Sequence, residues 1–148
     1  MLEKPHRISA GGIVIHRDKV LLVRYPQGYY AAPGGGIKEG ESLISALKRE
    51  VFEETAIRIS VLKPIFIETL NGKEKIHLKT WFVCKYVKGE IAESEASREE
   101  GIVECDWYDQ DFLTKQRVYP EILGSMSFSE ILNFSQPAIV AELRDVPF

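Results

Sequence analysis

The chain is poor in the residues that usually build metal centres and disulfide scaffolds: it has two cysteines and three histidines in 148 residues. Cys84 and Cys105 stand alone, without ligand spacing, so neither a disulfide framework nor a zinc site is expected and both read as reduced core residues. His6, His16 and His77 show no ligand spacing either, and read as surface or strand positions. No apolar run approaches the roughly 18 residues of a membrane span. The segment Met1 to Arg7 lacks the apolar core of a signal peptide, so a cytoplasmic location without a membrane partner is expected. A basic excess is missing too. Nineteen Lys and Arg against 22 Asp and Glu leave a net charge of −3, so no global field favours a nucleic acid polymer, and a small molecule is the better partner. Internal repeats and low-complexity linkers are absent. The length suits one domain over 1–148 with an adequate core of its own, and a homodimer is compatible with these features.

What is present begins with alternating apolar stretches. Ile13 to Ile15 and Val20 to Val23 flank the polar turn His16-Arg17-Asp18-Lys19 and predict a hairpin. Val61 to Leu70 and Lys75 to Val87 predict two further strands, with Asn71-Gly72 suggesting a type I′ turn between them. Strand character continues to about Tyr108. Asp109 is placed to cap a short helix through Leu113, and Ser127 with Glu130 has capping-box spacing for another before Pro137. The segment Glu93 to Gly101 has the composition of a flexible loop.

The segment Ser42 to Thr55 is the most informative. At about 100° per residue, Leu43, Ala46 and Leu47 share one helix face with Val51 at its margin, and Glu50, Glu53 and Glu54 continue that face. Ser45, Lys48, Arg49 and Phe52 occupy the opposite side, so the carboxylates are directed at the protein body. Glu50 and Glu54 are a like-charge i,i+4 pair, disfavoured by roughly 0.2–0.5 kcal/mol. A divalent cation converts that repulsion into coordination, and oxygen ligands without His or Cys suit Mg²⁺ or Mn²⁺. Just upstream, Ala31-Ala32-Pro33-Gly34-Gly35-Gly36 reads as a glycine-rich loop able to approach a ligand closely or adopt positive φ.

From Gly35 the spacing runs through five residues to Glu41, then seven to Arg49-Glu50-Val51-Phe52-Glu53-Glu54-Thr55-Ala56-Ile57. This resembles the box of the Nudix hydrolase family, Gly-x5-Glu-x7-Arg-Glu-U-x-Glu-Glu-x-Gly-U with U a bulky aliphatic residue. One position departs, Ala56 standing where the family has glycine. Weaker similarity runs from about Ile8 to Leu113, and residues 115–148 carry no family signature. The resemblance implies an α/β/α sandwich around a mixed β-sheet. It also implies metal-dependent hydrolysis of a phosphoanhydride in a small nucleoside diphosphate derivative, releasing a nucleoside monophosphate and a phosphate-containing product. On the same basis Glu50, Glu53 and Glu54 are metal ligands, with a backbone carbonyl of the Gly34-Gly35 segment, and Arg49 is an orienting residue held by Glu41. A further glutamate ahead of the late Trp107 strand is implied as general base, with Glu100 chosen over Glu99 and Glu53 as the alternative within the box. Arg24 and Tyr30, close to Tyr25 and Tyr29 at a strand end, are the candidate substrate-binding residues. A nucleotide-binding or regulatory module is the competing class, and retention of every box carboxylate favours the enzyme.

Overall fold

The computed structural model describes residues 3–147. The strands are β1 His6–His16, β2 Lys19–Arg24, β3 Tyr30–Ala31, β4 Gly34–Gly36, β5 Arg58–Asn71, β6 Ile76–Lys88, β7 Glu104–Asp109, β8 Val118–Tyr119, β9 Ile139–Val140 and β10 Arg144–Asp145. The helices are α1 Leu43–Thr55, α2 Glu95–Glu99, α3 Gln110–Leu113 and α4 Phe128–Leu132, with a 3-10 turn at Glu121–Gly124. The strands join into one mixed, curled sheet. β1 runs parallel to β6 and antiparallel to β2 and β4, while β5 pairs antiparallel with β6.

Alternation along the strands divides the core between the two sheet faces. Ala10, Val14 and Leu21 pack with Leu47 and Val51 of α1 on one side. Ile13, Val20 and Leu22 pack with Leu113, Leu123, Phe128 and Ile131 on the other. Helices therefore cover both faces, giving the α/β/α layering that the resemblance implies. Among the described residues no helix is long and apolar enough to cross a membrane.

Local rules explain most element ends. Arg17 and Asp18 have φ of 52° and 61°, as the two central residues of a type I′ turn require. Asp109 accepts from the Phe112 N–H, and Ser127 and Glu130 form the expected capping box. The β5–β6 connection differs from expectation. Asn71 pairs with Ile76, the intervening four residues form a wider loop, and Gly72 is not at positive φ, so no type I′ turn forms at Asn71-Gly72. Glu95–Glu99 is helical rather than a flexible loop, because Ser94 and Ser97 build a capping box and the Ser94 hydroxyl donates to the Glu53 carbonyl, tying α2 to the end of α1. The chain beyond the 3-10 turn returns to the sheet: β9 lies along Phe66 and Ile67, and β10 along Leu70 and Asn71.

Candidate functional site

The helix α1 starts at Ser42, whose hydroxyl accepts from the Ser45 N–H, and it buries Ala46, Leu47, Glu50, Val51 and Glu54. Inclusion of two glutamates in that buried set follows the face predicted from the wheel. Glu50 is 7 % exposed and Glu54 2 %, whereas the Glu53 side chain is 37 % exposed. Glu54 Oε1 accepts from the Gly34 N–H at 3.0 Å. Its Oε2 is buried without a hydrogen-bond partner, the one such side-chain atom among the described residues. Burial pushes the Glu54 pKa up to about 8, and the Glu50 charge adds to the rise against the Gly34 hydrogen bond that lowers it.

Arg49 does not stay on the polar exterior. Its Nε and Nη2 donate to the two oxygens of Glu41 at 2.7 and 2.8 Å, Nη1 donates to Glu50 at 2.8 Å and to Glu53 at 3.2 Å, and Nη2 also reaches the Gly36 carbonyl at 3.2 Å. A long stem lets the head group leave the face on which its Cβ sits. The planar fork holds three carboxylates at once, which a lysine cannot reproduce. The Arg49 hydrogen bond is the main reason the Glu41 carboxyl falls to about 2.

The glycine segment is not a loop but strand β4, paired with Ser9, Ala10 and Gly11, and none of its glycines adopts positive φ. Its glycines serve close approach instead. A Cβ on Gly35 would lie 2.5 Å from the Glu50 carboxyl carbon. The box departure at Ala56 is a left-handed residue, φ 66° and ψ 10°, whose N–H closes the helix on the Phe52 carbonyl.

Gly34 and Gly35 line an open, solvent-connected cleft. Tyr25, Tyr29 and Tyr119 wall it, and Arg7, Ser9, Glu68, His77, Lys79 and Trp81 from β1, β5 and β6 make its floor. Glu100, at the C-terminal end of α2, lines the same cleft, and its charge reaches both Glu54 and Tyr25. Glu99 does not line it. Glu50 and Glu54 do not line the cleft themselves but touch its glycines, Glu50 against Gly35 and Glu54 through the Gly34 N–H.

Arg24 and Tyr30 do not reach the cleft. Arg24 pairs with Glu104 at 3.1 Å across the β2–β7 register. Tyr30 packs edge-on against Tyr108 and Phe112. Strand alternation explains this: Tyr29, one residue earlier, turns to the cleft and stacks on Tyr25 at 5.0 Å. His77 lies on strand β6, one of the two placements expected for it, and its side chain lines the cleft floor. The floor was present in the sequence as the period-two patterns Arg7-x-Ser9-x-Gly11 and His77-x-Lys79-x-Trp81. Neither half carries chemistry until the strands are paired. Cys84 and Cys105 are free, and burial pushes both thiols up to about 12, away from reactivity.

The donor set fits a hard divalent cation. It offers carboxylate oxygens only, and one of them, Glu54 Oε2, is buried with its lone pairs unused. No group of three His, Cys, Asp or Glu side chains among the described residues is already closed into an ion cage. Arg49 Nη1 lies between Glu50 and Glu53, and Glu54 is turned onto Gly34.

A model of the NUDIX domain matches residues 5–123. The chain belongs to the Nudix family. The NAD-capped RNA hydrolase NudC of Pseudomonas aeruginosa is 32 % identical over 112 residues, covering 72 % of this chain but 38 % of that protein. The chain thus matches well under half the length of that relative. The uncharacterized Nudix hydrolase YvcI of Bacillus subtilis is 34 % identical over 96 residues, covering 62 % of this chain and 59 % of that protein. Among solved structures, a NUDIX hydrolase from Nitrosomonas europaea superposes with a TM-score of 0.64 at 26 % identity, over 76 % of this chain and 78 % of that one. The MutT protein of Methanosarcina mazei Go1 superposes with a TM-score of 0.69 at 24 % identity, over 84 % and 92 % respectively, and so speaks for the fold.

Proposed function

We infer that this Nudix chain hydrolyses a phosphoanhydride bond in a nucleoside diphosphate derivative with the help of Mg²⁺ or Mn²⁺. The observation that carries this reading is the buried, unpartnered Glu54 oxygen beside the Gly34-Gly35 rim of the cleft. Glu50, Glu53 and Glu54 would hold the cation, with Gly34 contributing backbone, and a bound divalent ion supplies charge neutralisation and a more acidic water. Arg49, fixed by Glu41, sets the positions of Glu50 and Glu53 and is a positioning residue. Glu100 faces the cleft and takes the proton from the attacking water. As the new P–O bond forms, the bridging P–O bond breaks and the leaving phosphate carries the electron pair. Tyr25 and Tyr29 offer a stacked aromatic wall for a base or ribose.

Solved relatives of this fold include a UDP-X diphosphatase and an ADP-ribose pyrophosphatase from Streptococcus suis, and NudC is named for NAD-capped RNA. The deciding experiment is a panel of nucleoside triphosphates, ADP-ribose, dinucleoside polyphosphates, nucleotide sugars and an NAD-capped oligonucleotide, each with Mg²⁺, Mn²⁺ or EDTA. Cation-dependent release of a nucleoside monophosphate from at least one supports the reading. Full turnover in EDTA on the best substrate overturns it, and binding without any turnover favours the binding module.

A further inference from the structure

The cleft floor gathers positive charge as α1 gathers negative. The parallel register of β1 and β6 pairs Arg7 with His77 and Ser9 with Lys79, and all four side chains line the cleft. Arg7 and Lys79 are diagonal neighbours across that register, and Arg7 disfavours the charged form of Lys79, a repulsion that an anion lying between them would relieve. Among the described residues, Arg7, His77 and Lys79 form no ion pair with a carboxylate. Lys79 is half-buried, its ammonium lies 4.3 Å from the centre of the Trp81 ring, and burial pulls its pKa down.

The nearest candidate counter-ion is already taken. Glu68 is the cross-strand neighbour of Lys79 on β5 and is 2 % exposed. Its Oε2 accepts from the Trp81 indole at 3.2 Å and its Oε1 from Arg144 Nη2 at 3.0 Å. Arg144 comes from β10, beyond the family match, and also pairs with Glu121. The C-terminal segment therefore delivers a cation that occupies both Glu68 oxygens with Trp81, and Lys79 feels Glu54, Glu68 and Glu50 only at a distance, with no carboxylate in ion-pair contact.

We propose that Lys79, Arg7 and Ser9 form an anion subsite for a phosphate of the substrate that the α1 carboxylates do not hold, and that Arg144 keeps this subsite open by engaging Glu68. The substrate class is then a nucleotide with a phosphate outside the pair joined by the scissile bond. This rests on the hydrolase reading above, but its test needs neither a metal nor bond cleavage. Inorganic tripolyphosphate is titrated calorimetrically into the EDTA-treated full chain at low salt. Wild type binds, Lys79→Gln weakens binding at least tenfold and Arg7→Gln several-fold. Arg144→Ala weakens it about fivefold because the released Glu68 pairs with Lys79, and adding Glu68→Gln to Arg144→Ala restores it to within twofold.

Thermal melts separate this from misfolding. Lys79→Gln and Lys79→Met should melt no lower than wild type, since each removes a half-buried charge that has no carboxylate in ion-pair contact. A wild type that does not bind tripolyphosphate, or Lys79 and Arg7 variants that bind it equally well, overturns the subsite. Metal-dependent turnover in that case leaves the hydrolase reading standing. Failure of the double variant to recover overturns the role given to Arg144.

Discussion

The carboxylate end of the site and the cationic floor of the cleft concentrate opposite charges a short way apart, yet the chain encodes them differently. The first lies within one helix and its approach, Glu41 to Glu54, where fixed spacing and a single turn geometry bring the groups together. The second joins residues about 70 positions apart, Arg7 and Ser9 with His77 and Lys79, and exists only once β1 and β6 are in register. Local clusters are readable from a helical wheel. Cross-strand clusters depend on a pairing that alternation alone leaves undetermined. The two ends also differ in how their charge is managed. Arg49 ties the carboxylates together while leaving Glu54 Oε2 without a partner, whereas Arg144 engages Glu68, the cross-strand neighbour of Lys79.

The largest effects should come from breaking the carboxylate end alone. Glu50→Gln and Glu54→Gln should each lower kcat by about two or more orders of magnitude while circular dichroism shows an intact fold. Retention of near-normal kcat in either would remove that end from the chemistry.

Next comes the residue that faces both ends. Glu100→Gln should reduce kcat far more than KM and flatten the rise of activity with pH, as loss of a general base does. If Glu100→Gln keeps a normal profile and Glu53→Gln does not, the base lies within α1.

Arg49→Lys keeps the charge and discards the fork. A fall in kcat of about tenfold or more with KM nearly unchanged is expected, because Glu41, Glu50 and Glu53 can no longer be held together. A selective rise in KM would instead place Arg49 on a substrate phosphate.

A subtler difference appears in stability. The Glu54 carboxyl titrates near 4.5 in an unfolded chain and about 8 in the metal-free fold. Between those values the native state retains a proton that the unfolded state has lost, so stability falls as pH rises through that window, by on the order of 1 kcal/mol per pH unit. The Tm of EDTA-treated protein should therefore drop between pH 5 and 8, and Glu54→Gln should flatten the drop. A wild-type profile already flat across this window would show that Glu54 is not a strained carboxylate.

These expectations also mark how far the sequence could be read. The β1–β2 hairpin, α1, the α3 cap and the α4 capping box all followed from local patterns, as did the burial of Glu50 and Glu54. Readings failed where tertiary contacts outweighed local composition. The glycines became a strand because β1 supplies a partner and Glu50 needs the space, and the acidic 95–99 segment became a helix because Ser94 anchors it to α1. Tyr30 and Arg24 were one strand position out of phase with the cleft. The segment after residue 123 showed only its capping box in the sequence; folding adds Phe128 and Ile131 to the core, lays β9 and β10 along β5 and brings Arg144 to Glu68.

The smallest effect concerns Ala56. A left-handed non-glycine residue is strained by roughly 1–2 kcal/mol, and glycine returns part of that gain as chain entropy, roughly 0.5–1 kcal/mol. Ala56→Gly should therefore raise the Tm by about 2–4 °C, with activity unchanged, and a fall in Tm would dismiss the strained cap.

The most direct test of the central claim is titration of EDTA-treated protein with Mn²⁺, followed by electron paramagnetic resonance of the free ion. Wild type should remove Mn²⁺ from solution in a saturable way, and Glu54→Gln and Glu50→Gln should each weaken that uptake at least tenfold. Uptake that is identical in all three proteins would contradict the assignment of a cation to the α1 carboxylates.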